Sequence, residues 1–507
     1  MKKLLLLICA GTGALMAQTP TILGVYNATL ESEGIPNTTI CPGGIATIYG
    51  TGFGSGSTTS VVVLVGGQRS DVLAVAPTQV NVQLPFNASV GATSVVITTG
   101  GGTSAPFNVT LAAVAPTIAL AVGSTTVGLF TTLKNTIVSS TNLANPGDTL
   151  VLYATGLGPT TPAAPVTGLA TSNLPTATLP TLTIGGVAAK VLYSAIPSGY
   201  AGLYQVNFTV PANVQGDAPV VLSIDGQSSN TATLPLFGIS AVVNAGSFLN
   251  TDTAAPEEML SIFANGLGTT NQLYGFPATT VEGVSVTING VPAPILALAA
   301  SGNQINVVAP SNLPTTGTVQ VQLTTPTGTS IDYPLIMNPA VPGIFLVSVP
   351  ANPAANIAVA QFANTVWLVV QTSAATALQI PQNCTASNAN PLSICGQPAA
   401  PGDYLVLYLT GLGEVTPNGA ASGTPLGTGV VAPVSGSPLY ETTATPTVQV
   451  GGVAATVLFS GVAPGTSGEY QVDFQVPTGV TEGDSVPLTV SMPGSTTATA
   501  TLAVHSR

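Results

Sequence analysis

Charge is what this chain has least of. Lys, Arg, Asp and Glu make up 5% of its 507 residues, where an ordinary globular domain carries about 25%. Basic residues are the scarcest, six against 18 acidic, and this excludes nucleic-acid binding, whose affinity comes chiefly from Lys and Arg at phosphates. There is one histidine, His505, near the end of the chain in a tail expected to fray. Ser-His-Asp and Cys-His catalysis both need a positioned imidazole, so both are set aside. Four scattered cysteines and one histidine do not supply three or four converging zinc ligands. No Gly-x-Gly-x-x-Gly lies between a strand and a helix, and no P-loop lysine accompanies the many glycines. The reading is therefore no catalytic residue, no metal and no cofactor. Beyond the N-terminus no run approaches the roughly 18 apolar residues of a membrane helix.

What is present begins with Met1-Lys2-Lys3, an apolar run from Leu4 to Ala10 and small residues to Ala17, the three regions of a secretory signal peptide. Cleavage after Ala17 leaves four basic residues against 18 acidic, a net charge near −14. Cys9 sits too early, behind Leu6-Leu7-Ile8, to suit a lipoprotein anchor. Export makes a disulfide plausible, and Cys384 with Cys395 brackets a polar loop that one bridge would close. Cys41 is left over, either a buried free thiol at a strand start or one half of an intermolecular bridge. Thr, Ser, Gly, Ala, Val and Pro fill the space that charge leaves, a composition suited to strands and turns.

Two patterns each occur four times in the same order. The first runs from a proline to a glycine ten residues on: Pro42 to Gly52, Pro146 to Gly156, Pro256 to Gly266 and Pro401 to Gly411. The second starts with a Gln-apolar-Asn/Asp triplet and ends in a proline six residues after the glutamine: Gln79 to Pro85, Gln205 to Pro211, Gln304 to Pro310 and Gln471 to Pro477. Between them lie apolar runs closing on Gly66-Gly67, Gly185-Gly186, Asn289-Gly290 and Gly451-Gly452, which are strong hairpin signals. Six or seven short strands with frequent turns predict an immunoglobulin-like sandwich. The copies alternate: from the second hairpin glycine to the glutamine there are 12 and 14 residues in the first and third, but 19 in the second and fourth. The fold expected is all-β, four immunoglobulin-like sandwiches in A-B-A-B order, a duplicated pair. The boundaries are 1–17 signal peptide, 18–112 type A, 113–237 type B, 238–340 type A and 341–507 type B.

The A copies, particularly Ser240-Ala241-Val242-Val243-Asn244-Ala245-Gly246-Ser247-Phe248 with Gly266-Leu267-Gly268, resemble the IPT/TIG class of immunoglobulin-like domains. Pro42-Gly43-Gly44 followed by Gly54-Ser55-Gly56 departs from the leucine-centred corner of that class. The B copies, with Val151-Leu152-Tyr153-Ala154-Thr155-Gly156-Leu157-Gly158 and Gly202-Leu203-Tyr204-Gln205-Val206-Asn207, resemble the "Solibacter-type" C-terminal repeat domain of exported acidobacterial proteins. The resemblance covers nearly all of the mature chain and implies an exported β-sandwich module, without an activity.

Paired carboxylates are the catalytic option left, since glycosidases work with two acids. Glu257 and Glu258 are adjacent, so on an extended strand they point apart. Glu469 and Asp473 share a face, but the second copy has Leu203 and Asn207 there. Glu482 and Asp484 complete the candidates, and solvated carboxylates or turn caps are the favoured reading. Asp148 and Asp403 follow Pro-Gly in both B copies, as turn caps rather than calcium ligands. Each Gln and its Asn/Asp lie on one strand face, expected to bond loop backbone ahead of the proline. Trp367 suits core packing.

The leading reading is a non-enzymatic secreted or cell-surface structural or adhesive protein. Its partners are expected to be further copies, other surface proteins or glycans, met by strand addition at sheet edges. The alternative is a carbohydrate- or polymer-binding protein, with Tyr200, Tyr204 and Tyr440 as platform candidates. A carboxylate-only hydrolase resting on Glu469 is third.

Overall fold

The two recurring patterns are neighbouring strands. In all four copies the strand behind the proline lies antiparallel to the strand that carries the glutamine: Ile45–Thr51 with Gln79–Gln83, Thr149–Thr155 with Leu203–Thr209, Met259–Asn265 with Gln304–Val308, and Tyr404–Thr410 with Tyr470–Gln475. Their side chains alternate between buried and half-buried, as in Leu203–Thr209, so each pair turns one face to a core. The structure, a computed structural model, describes residues 18–27, 38–54, 57–249, 252–349, 356–382, 384, 394–419 and 424–506. The expected signal peptide lies outside the described residues.

The chain divides into two compact units, Met1–Leu236 and Phe237–Arg507. In the first, a sheet of Thr21–Asn27, Ile45–Thr51, Gln79–Gln83 and Asp71–Ala76 faces one built on Val62–Val65 and Gly91–Thr99. Ile48, Val63, Val80, Val82, Val95 and Ile97 fill the space between them. A ten-stranded sheet then folds over a second core that includes Phe130, Leu152, Tyr204, Phe208 and Leu222. Val187–Ile196 carries it from one layer to the other, pairing with Thr181–Ile184 at one end and Leu203–Thr209 at the other.

The second unit repeats the scheme. A five-stranded and a six-stranded sheet enclose Ile262, Val286, Ile305 and Leu323. A nine-stranded and a four-stranded sheet enclose Leu407, Val472, Phe474, Leu488 and Leu502. The fold is all-β and built from sandwich-like sheets, each unit holding two large separate cores. The four hairpins turn as their residues require: Gly66-Gly67, Gly185-Gly186, Asn289-Gly290 and Gly451-Gly452 all have positive φ at both positions, the geometry that matches strand twist. Among the described residues one short α-helix, Thr372–Ala377, departs from this plan.

Candidate functional site

The glycines that end the first pattern are contact points between backbones. A Cβ on Gly156 or Gly411 would run into the carbonyl of Ala115 or Val341, and one on Gly52 would meet the carbonyls of Gln18 and Thr19. Gly266 has the same positive φ of 93°. In the B copies a tyrosine ties this corner down: the Tyr204 hydroxyl donates to the Gly158 carbonyl, and that of Tyr470 to Gly413 at 2.5 Å. Both tyrosines are wholly buried, and burial pushes both phenols up from their ordinary value. Tyr204 is therefore part of a core, which corrects its candidacy as a sugar platform. Tyr440 is half-buried against the last core, and Tyr200 stays exposed.

The Gln-x-Asn/Asp triplets share a face, as the spacing predicts, but their partner differs from expectation. Each glutamine donates to the second side chain of its own triplet: Gln79 to Asn81 at 3.0 Å, Gln205 to Asn207 at 2.8 Å, Gln304 to Asn306 at 2.7 Å and Gln471 to Asp473 at 2.8 Å. Directly across the ladder from each glutamine stands an aromatic ring, Tyr49, Tyr153, Phe263 and Tyr408. Pro85, Pro211, Pro310 and Pro477 each stand two residues past the end of that strand, where a missing N–H costs the ladder nothing. The rings belong to the first pattern rather than to the triplets: Tyr49, Tyr153, Phe263 and Tyr408 each follow the proline of their strand, Pro42, Pro146, Pro256 and Pro401, by the same interval.

The carboxylates sort into different roles. Asp148 accepts the Asn145 N–H at 2.8 Å and Asp403 the Ala400 N–H at 2.7 Å, closing the Pro-Gly turn as turn caps do. Glu258 occupies the same place and accepts from Ala255 N–H at 2.6 Å and from Asn244 Nδ2 at 2.8 Å. It is fully buried, and desolvation holds its carboxyl well above the ordinary range. Glu258 is thus the turn cap that was one of the two expected readings; Glu257 is buried too, so neither is a solvated carboxylate. It has φ of 65° where the other three copies have Gly43, Gly147 and Gly402. Both its oxygens lack an ordinary hydrogen-bond partner. Burial, with the nearby charge of Glu414, raises its pKa to about 8, opposed in part by the Val415 N–H.

Glu469 and Asp473 both act on the Tyr408 phenol, and burial raises each. They share a neighbourhood as predicted. Glu482 and Asp484 are held by the chain end, through Ser506 on Glu482 and His505 Nε2 on Asp484 at 2.8 Å. The His505 N–H also bonds Ala399 O at 2.8 Å, so this tail is tied rather than frayed. The His505–Asp484 pair is exposed on both sides, the kind of contact that contributes little. Among the described residues no group of three or more His, Cys, Asp or Glu could hold a metal ion.

The most extensive shared feature joins the two cores of each unit, and it occurs twice with equivalent residues. Thr155 Oγ1 accepts the Ile45 N–H at 2.9 Å and donates to Gly202 O at 3.0 Å. Thr410 Oγ1 accepts the Met259 N–H at 2.8 Å and donates to Gly468 O at 2.8 Å. Asn27 Nδ2 bonds Ala115 O at 3.1 Å, and Asn244 Nδ2 bonds Val341 O at 2.9 Å. One place differs between them. In the first unit the ring of Phe86 lies where a Cβ on Gly43 would go, against the second core. In the second unit the matching residues are Ser311 and Glu257, and a cavity of about 300 Å³ opens there, lined also by Leu313, Leu412, Glu414 and Met492.

Residues 34–112 match the IPT/TIG domain family. The matched stretch is the copy whose corner departs from the leucine-centred pattern; it packs Phe53 there instead, wholly buried. No curated protein matches the chain. Among solved structures the chain is similar to the plexin A4 extracellular region at 12% identity, covering 95% of this chain and 30% of that one, with a TM-score of 0.24. It is also similar to a mixed-linkage glucan surface glycan-binding protein of Bacteroides ovatus, at 17% identity, 57% and 65% coverage and a TM-score of 0.14. The S-layer protein rSbsC is a third, at 11% identity, 96% and 54% coverage and a TM-score of 0.18. The chain spans less than two thirds of each of these, and likenesses this loose carry nothing about ligands.

Cys384 and Cys395 form the expected disulfide, and Trp367 packs against it. Cys41 is a buried free thiol, pushed up to about 12 by desolvation. A buried thiol so reluctant to ionise is inert, which removes the intermolecular bridge from consideration in the folded chain.

Proposed function

We propose that this chain is a non-enzymatic, exported surface protein, two stiff A-B pairs of immunoglobulin-like sandwiches acting as a structural or adhesive element. The observation that carries this reading is the junction built twice from equivalent residues, Thr155 with Ile45 and Thr410 with Met259. Hydrogen bonds from side chain to backbone across neighbouring sheets hold a fixed geometry, which suits a spacer better than a hinge. The disulfide suits an oxidising compartment. The low-charge surface puts little repulsion between copies, so assembly into a layer or filament belongs to this reading. Sedimentation and negative-stain imaging of residues 18–507 over a hundredfold concentration range test it. Ordered oligomers are expected, and a strictly monomeric species at the highest concentration would remove assembly.

The fourfold ring opposite each glutamine favours a second reading, polymer binding along half-buried sheet faces. Glycan-array binding lost in a Tyr153→Ala, Tyr408→Ala double variant is the expected result under it. An array without hits would leave the first reading alone.

A further inference from the structure

One strand edge is open in the first sandwich and covered in the other three. The strand before each Gln strand pairs with it so that Ala76, Ala195, Ala299 and Gly461 stand opposite Gln79, Gln205, Gln304 and Gln471. On their outer side Ala195 meets Pro175, Ala299 meets Asn271 and Gly461 meets Glu441, each in an antiparallel cover strand. Those strands come from the connection between the glycine corner and the hairpin, residues 159–180, 269–284 and 414–446. The corresponding connection of the first sandwich, 55–61, is far shorter and holds only the turn Thr58–Ser60 among its described residues. Asp71–Ala76 is therefore the last strand of its sheet among the described residues.

The hairpin shows which groups face out. Opposed residues in an antiparallel ladder alternate between exchanging both backbone hydrogen bonds and exchanging none. Ala76 and Gln79 flank the two-residue turn Pro77-Thr78, and Pro77 has no N–H to give, so Ala76 and Gln79 are an exchanging pair. One residue back, the N–H and C=O of Val75 point away from Gln79–Gln83, and neither has a backbone partner in another strand or loop among the described residues. Thr58–Ser60 closes on its own Ser57 carbonyl, and Ser60 lies by Pro77 and Thr78 at the end of the strand. No charge guards this edge. From Val72 to Gln83 there is no Lys, Arg, Asp or Glu, the means by which exposed edges are commonly blunted. The bulge at Leu73 does not close it either, because Leu192, Leu296 and Leu458 form the same bulge in the three covered strands. Val72 and Val75 pack on the core, while Leu73, Ala74 and Ala76 are exposed.

We infer that this edge is a self-association site, at which Asp71–Ala76 of two copies pair antiparallel about a two-fold axis through Val75. The occupant is a second copy because the cover strands on this edge run antiparallel in all three other sandwiches, and a two-fold axis through the sheet pairs identical edges in that same sense. In this register each Val75 N–H donates to the other Val75 carbonyl, and Ala74 of one copy stands opposite Ala76 of the other. The two four-stranded sheets become one continuous sheet, and Leu73 packs over Pro77 of the other copy. Alanines at the seam let the sheets approach without a side chain between them. This site rests on the assembly proposed above and gives that assembly a contact.

Charge placed at the seam tests this, with self-association of residues 18–507 followed by sedimentation equilibrium. Ala74→Lys with Ala76→Lys sets lysine opposite lysine at both places, and the dissociation constant is expected to rise about tenfold, since like charges directly opposite are unfavourable. The two lysines also lower the net charge of an acidic chain, so general repulsion cannot explain such a loss. Ala74→Lys with Ala76→Glu sets opposite charges together in the same register and is expected to restore association. Both variants carry two charged side chains at the same exposed positions, so misfolding cannot separate them. Amide hydrogen exchange gives a second readout: the Val75 N–H is expected to exchange fast in the monomer and to slow as concentration rises. A chain that stays monomeric at every concentration removes both the assembly and this contact. Association that is equal in the two variants, or that leaves Val75 exchange unchanged, overturns this contact and leaves the assembly standing.

Discussion

Acidifying the protein from pH 8 to pH 5 is expected to raise the stability of the Phe237–Arg507 unit, opposite to the usual behaviour of carboxylate-rich proteins. Glu257 carries the effect. Unfolded, it titrates near its ordinary 4.5, while in the folded chain desolvation and the Glu414 charge raise it to about 8. Between those values the folded state holds a proton that the unfolded state has lost, so stability falls as pH rises. The slope is about 1.4 kcal/mol per pH unit for this one group. Its contribution is fully present below pH 4.5 and is lost as pH rises through 8. Glu258, also raised by burial, acts with the same sign. Urea unfolding across this range should show the slope, and Glu257→Gln should lower it by about the share of that one group. An unchanged slope in that variant would place the effect elsewhere.

Replacing Gly411 by alanine is expected to destabilise the same unit by about 2–4 kcal/mol. Two causes add. The residue has φ of 76°, which disfavours any side chain. The new methyl would also drive into the Val341 carbonyl, whose own N–H bonds back to Gly411 O at 2.8 Å. Backbone on both sides leaves nothing flexible to move aside. Gly452→Ala separates the causes, because φ there is 79° but nothing lies within 4 Å of the added carbon. Its cost should be about 1 kcal/mol. Equal losses in the two variants, measured by calorimetry, would mean that the contact at Val341 contributes nothing.

Most of the architecture was legible because it rests on period and punctuation. Strand alternation, paired turn residues and the proline after each Gln strand are local, and each survives in the structure at the residues that signalled it. The disulfide was legible for the same reason, two cysteines closing one polar loop. The junction was not, because it joins residues more than a hundred positions apart: Ile45 and Thr155 stand in successive copies of one pattern, at different places in it, and a threonine at the end of a strand advertises no partner. Glu257 was missed differently. Reading it as one of two neighbours on an extended strand assumed alternation, and its positive φ breaks that alternation at the point where Gly43, Gly147 and Gly402 hinted at a turn. A glutamate in a column of glycines was the available signal.

The hydrogen bond that Thr155 makes to Ile45, and Thr410 to Met259, also bears on how such a chain can be lengthened or cut. A copying event that carried one sandwich alone would strand a half-buried N–H on one side of the break and a threonine hydroxyl on the other. Copying the pair moves donor and acceptor together. Within each unit the pair, rather than the single sandwich, is thus the piece that keeps this donor and acceptor together.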